Sequence, residues 1–154
     1  MAYTITIETA SPHILAAVRR RVRAGGIATI FRPALDEVWA FLRSNPGLRI
    51  DGHNTFLYHH ASGDPRTDID IDIGVEVTRI FPALGQVSCV ETPTGRTAVT
   101  VHTGAYSGIP AAHAALRHWC NQNGESIGSW SLEIYGDWHE DESKLETTIV
   151  YALA

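Results

Sequence analysis

Near its C-terminal end the chain reads WSLEIYGDW, residues 130–138, with one acid, Glu133, among aromatic and aliphatic residues. An unpaired carboxylate is expensive to bury, so its surroundings decide its chemistry. Walled by rings, it suits a flat, apolar, cationic ligand: the rings stack and attract the cation, and the carboxylate is the counter-charge. Desolvation would also raise its pKa, which prepares a general base. The competing reading is a glutamate on a solvated sheet face, or one paired with an arginine such as Arg96. Strand alternation puts Trp130, Leu132 and Ile134 on one face and Ser131, Glu133 and Tyr135 on the other. The apolar set is expected beneath a helix, which leaves Glu133 and Tyr135 on the opposite face.

The elements that must position these residues come in two copies. Leu35, Val38, Trp39 and Leu42 form an apolar stripe at helical spacing. It follows Pro33 and is stopped by Asn45-Pro46-Gly47. Ala112, Ala115, Leu116 and Trp119 repeat that spacing 77 residues later, after Pro110 and before Asn123-Gly124. The pattern predicts helices over about 33–45 and 108–123, with strands over about 2–9, 13–23, 54–60, 67–79, 86–91, 96–103, 129–137 and 145–153. The loops 60–67 and 136–146 are turn-rich. The fold class expected is α+β: two pseudo-twofold-related strand–helix–strand–strand modules, about 1–79 and 80–154, in a single domain over 1–154 with a ligand cleft between them. The 77-residue offset brings Phe56 opposite Glu133 and Tyr58 opposite Tyr135, so both enter the expected cleft. His102, beside Gly104, is a further lining candidate. Trp138, at the start of an acidic loop, is a candidate aromatic lid. Trp39, Trp119 and Trp130 are expected in the core, and His113 and His118 on exposed helix faces.

The net charge of −5 argues against nucleic acid as a partner, because phosphate binding needs a basic face. Arg19, Arg20 and Arg21 alternate sides on a strand and make no single patch. No stretch approaches the roughly 20 apolar residues of a membrane span, and the start lacks a signal-peptide pattern. Isolated Cys89 and Cys120 fit a reduced, cytoplasmic location. DIDIDIG (68–74) lacks the glycine and glutamate of a calcium loop and reads as a strand with Ile69, Ile71, Ile73, Val75 and Val77 inward. Adjacent His59 and His60 point opposite ways and are poor co-ligands. No metal and no cofactor is expected, since phosphate-loop and dinucleotide fingerprints are absent from the sequence.

The run 92–124, then SLEIYGDW and LETTIVYAL, resembles the GyrI-like small-molecule-binding domain, also the effector-binding domain of AraC- and MerR-type transcription regulators. The resemblance is carried by Pro93, Gly95, Arg96, His102, Gly104, Tyr106, Trp119, Glu133, Tyr135 and Thr147. It implies a cleft between two modules with Glu133 at its base and Tyr106 and Tyr135 as walls. It also implies a bacterial stand-alone form without a DNA-binding domain, and a homodimer is compatible with exposed sheet edges. Three functions follow from it. The first is binding of hydrophobic, aromatic or cationic drug- or toxin-like molecules. The second is hydrolysis of strained electrophiles such as cyclopropane-bearing alkylators, with Glu133 as catalytic base. The third is a protein-binding role of the gyrase-inhibitor type.

Overall fold

The structure, a computed structural model, describes residues 2–23, 26–60 and 68–154. The expected turn over 60–67 lies, from residue 61 on, outside the described residues. The elements follow in the order β1 (Thr6–Ala10), β2 (Ile14–Val22), α1 (Ile27–Ser44), β3 (Arg49–His59), β4 (Ile69–Val77), β5 (Val87–Glu91), β6 (Gly95–Thr103), α2 (Ile109–Gln122), β7 (Ile127–Tyr135) and β8 (Glu146–Leu153). This is the expected α+β class. Helix α1 starts a turn and a half earlier than Pro33 suggests, and Pro33 sits inside it. Proline there removes the hydrogen bond to the Thr29 carbonyl, and its ring lies on the exposed side of the helix.

All eight strands form one antiparallel sheet in the order β1-β6-β8-β7-β3-β4-β2-β5. Exchanging each strand for its counterpart in the other half reverses this order and leaves it unchanged. The pseudo-twofold therefore passes between β3 and β7. Phe56 and Glu133, related by the 77-residue offset, are also directly opposed in the β3–β7 register. The pair thus marks the axis. The two expected modules share this one sheet, and each half donates its first strand to the other. β1 pairs with β6, and β5 pairs with β2.

Both helices lie on the face that carries Glu133, which reverses the packing expected from β7 alone. Directly opposed residues in an antiparallel sheet share a face. The registers align Ile73, Phe56, Glu133 and Ile149 in one row. Ile71, Ile73, Val75, Val77 and Phe56 form a core with Ala34, Val38 and Leu42 of α1. Ile149 and Tyr151 form another with Ala112, Leu116 and Cys120 of α2. Leu132, Trp130 and Ile134 pack on the other face with Leu57 and Val150. Val90 on edge strand β5 and Val99 on β6 both join that cluster. Neighbouring strands are about 4.8 Å apart, so the sheet must curl for both to reach it.

The curled face also carries charges in pairs. Arg19 donates two hydrogen bonds of 2.9 Å to Asp72, and His59 adds a third contact at 2.7 Å. Arg21 pairs with Asp70 and Arg23 with Asp68. Burial works against the Asp72 anion, but Arg19 and His59 outweigh it and hold its pKa below the usual value. Asp72 is buried whereas Asp70 is partly exposed. Arg19→Ala should therefore cost about 1–3 kcal/mol in urea unfolding, because it strips a buried acceptor of its main donor. Arg21→Ala should cost less than about 1 kcal/mol. Equal losses in the two variants would contradict this account.

Candidate functional site

The row at the pseudo-twofold opens into a cavity of about 780 Å³, within the range of about 300–1,000 Å³ usual for small-molecule sites. Its floor is Phe56, Tyr58, Glu133 and Tyr135 from β3 and β7. One wall is the α1 face of Ile27, Phe31, Leu35 and Trp39, with Arg32 and Asp36 at the rim. Tyr106, Ile109 and Pro110 close the α2 side, and His53, Asp137 and Trp138 stand at the mouth. The rings are interlocked. Phe56 and Tyr135 meet at 5.1 Å, Tyr106 and Tyr135 edge-on at 5.6 Å, and Phe31 and Phe56 at 6.0 Å. Edge-to-face contacts of this kind hold aromatic walls in fixed positions.

Glu133 is 6% exposed, and three donors satisfy it. The Tyr58 and Tyr135 hydroxyls both donate to Oε1, the latter at 2.9 Å, and His113 Nε2 lies 2.7 Å from Oε2. Burial pushes the Glu133 pKa up, but the hydrogen bonds from His113, Tyr58 and Tyr135 and the His113 charge together hold it below the usual value. The expectation of a raised pKa is thereby overturned: the donors favour the anion more than desolvation opposes it. Burial and the Glu133 charge push the Tyr58 and Tyr135 hydroxyls well above their ordinary range, so both remain donors. The floor is a fixed anion surrounded by rings.

Six of the seven sequence-derived candidates, Glu133, Tyr106, Tyr135, Phe56, Tyr58 and Trp138, line this one cavity. Trp138 is 73% exposed at its rim. His102 lies elsewhere, buried beneath the turn that leads into α2. It bonds the Tyr3 hydroxyl and the Ala105 carbonyl, each at 2.8 Å. A side chain at Gly108 would press on the His102 ring at 2.6 Å, and Gly104 has φ +126°. His102 therefore holds the turn that presents Tyr106.

His113, expected on an exposed face, instead contacts Glu133. The buried stripe of α2 is Ile109, Ala112, Leu116 and Cys120. His113 stands four residues after Ile109 and three before Leu116, on the flank of that stripe. Reading the stripe one residue too far along, through Trp119, had turned His113 outward. Trp39, expected in the core, packs against its edge and also lines the cavity, where its Nε1 lies 3.3 Å from Asn54 Oδ1.

A curled sheet with two helices on one face and a ring-lined cavity of this size at its internal symmetry axis has the form of a small-molecule-binding domain. The chain belongs to the GyrI-like small molecule binding domain family, whose profile matches residues 3–153. Solved structures share the fold. The C-terminal domain of EcmrR superposes with a TM-score of 0.81 at 19% identity, covering 100% of this chain and 99% of that one. SAV2435 bound to tetraphenylphosphonium gives 0.71 at 12%, covering 100% and 94%. A hydrolase from Listeria innocua gives 0.65 at 11%, covering 97% and 91%. The chain also matches 57% of EcmrR in its DNA complex, at a TM-score of 0.80 and 19% identity. No curated protein sequence matches.

A carboxyl whose folded pKa is depressed stabilises the fold above its unfolded pKa, here near 4.5, and that contribution is lost as the pH falls from there through the folded value. Glu133→Gln should therefore show a shallower loss of urea stability below about pH 4.5 than the parent chain. Parallel acid limbs would refute the depressed pKa.

Proposed function

We propose that the chain is a binding protein for hydrophobic, aromatic monocations, held between the rings of the cleft with Glu133 as the counter-charge. The observation that carries this reading is the buried Glu133 anion on the aromatic floor of the 780 Å³ cavity. Rings and one charge are undemanding, so broad specificity is expected, as for multidrug binders. The tetraphenylphosphonium bound by SAV2435 is a ligand of this chemistry and a suitable probe. Hydrolysis is the less favoured use of the same site. A carboxylate held as an anion by three donors is a weaker base than a desolvated one.

The protein acts without contacting nucleic acid. Arg19, Arg21 and Arg23, which could make a basic row along β2 and just past its end, are each matched by an aspartate on β4 or beside it. Both cysteines are free, which suits the cytoplasm, and among the described residues no helix is long and apolar enough to cross a membrane.

Calorimetric titration with tetraphenylphosphonium and with neutral triphenylphosphine oxide tests the reading. Glu133→Gln should weaken the cation about tenfold or more and leave the neutral probe nearly unchanged. Equal losses for both probes would remove the counter-charge role. Multiple turnovers of a cyclopropane-bearing alkylator by the parent chain, abolished in Glu133→Gln, would replace binding with hydrolysis.

A further inference from the structure

The two helices are equivalent, yet α1 lines the cavity from Ile27 to Trp39, whereas α2 reaches it only through its first turn, at Ile109 and Pro110. By burial, Ala34, Val38 and Leu42 of α1 match Ala112, Leu116 and Cys120 of α2, one residue beyond the 77-residue offset of the strands, and all six are fully buried. The next positions differ in kind. On α1 they are Leu35 and Trp39, which line the cavity. On α2 they are His113 and Arg117. A polar chain fills the space on that side: Arg117 Nη1 is 3.2 Å from the Tyr151 hydroxyl, which is 2.6 Å from His113 Nδ1, and His113 Nε2 reaches Glu133.

The chain has one degree of freedom in its charge. A carboxylate only accepts, so His113 Nε2 carries a proton whenever Glu133 is ionised. Any further proton must enter at Nδ1. The Tyr151 hydroxyl can face Nδ1 either as donor or as acceptor, so both protonation states of the imidazole fit the same geometry. The titratable and charged groups around His113 come from every neighbouring element. They are Glu133 and Tyr135 on β7, Tyr151 on β8, Tyr58 on β3 with His60 just beyond it, and Arg117 and Cys120 on α2 itself.

We propose that His113 is a specificity-determining residue that sets the net charge of the cavity floor. Neutral, it leaves the Glu133 anion to select aromatic monocations; protonated, it cancels that anion and the same cleft takes neutral aromatic ligands. This inference rests on the ligand-binding reading above and adds that the preferred ligand charge changes with pH.

The test is the ratio of affinities for tetraphenylphosphonium and triphenylphosphine oxide, measured by calorimetry between about pH 5 and 8, where histidines change charge. Neither probe titrates there. In the parent chain the preference for the cation should fall about tenfold from the alkaline to the acid end. His113→Gln, which can still donate to Glu133 but cannot take up a proton, should keep the alkaline preference throughout. His53 also lines the mouth and lies 3.1 Å from Asp137, so His53→Gln is the control and should retain the pH dependence. A flat ratio in the parent chain overturns the proposal without needing any variant. A dependence that survives His113→Gln or vanishes in His53→Gln overturns it as well. If neither probe binds at any pH, the ligand-binding reading falls, and this inference with it. If both bind with a constant ratio, this inference alone is lost.

Discussion

The site depends on satisfying a carboxylate that has been taken out of water. An isolated anion in that position would take up a proton instead of remaining charged. Here Tyr58 from β3, Tyr135 from β7 and His113 from α2 each supply a donor. Those donors fix the spacing of the two central strands and the approach of one helix. The geometry that stabilises the anion is also the geometry that builds the cleft: the tyrosines that donate to Glu133 also line the cavity. Binding chemistry and folding chemistry therefore share the same atoms, and the polar network at the floor is fully paired.

Internal symmetry makes such a centre possible, and broken symmetry makes it useful. A residue on a twofold axis meets its own counterpart. A glutamate at both positions would place two anions side by side, which repel and raise one another's pKa. The chain carries Glu133 on one side and Phe56 on the other, so a single charge lies against a ring. The helices break symmetry in the same direction: where α1 lines the cavity with Leu35 and Trp39, α2 carries His113 and Arg117.

Much of this was legible in the residues. The repeat was visible because helix stripes, stops and following strands recur at a constant interval, and the interval itself paired Phe56 with Glu133. Alternation placed Ile71, Ile73, Val75 and Val77 together correctly. What failed was the choice of face on β7. Leu132, Ile134 and Trp130 are apolar on one side while Tyr135 and Glu133 meet aromatics on the other, so periodicity within that strand cannot say which side the helices cover. The strict alternation of β4 does carry that information, but it reaches β7 only through the registers of β3, which are long-range facts. His113 was missed for a related reason: a one-residue error in a helical stripe turns a flank position by about 100°. His102 belonged to the same motif as the cleft residues, yet its ring is spent on holding a turn.

The exchange of first strands has a consequence for how the chain reaches this state. Residues 6–10 leave the ribosome before the other strands of this sheet, yet their partner is residues 95–99. β2 obtains its second neighbour only from residues 87–91. The N-terminal half therefore cannot complete its sheet as it emerges, and closure of the edges waits for sequence made much later. Contacts this distant along the chain slow folding, and until they form β1 is an unpaired ribbon. Its alternation of Thr6, Glu8 and Ala10 with Ile7 and Thr9 leaves one apolar side chain larger than alanine in the strand, a composition suited to remaining solvated during that wait.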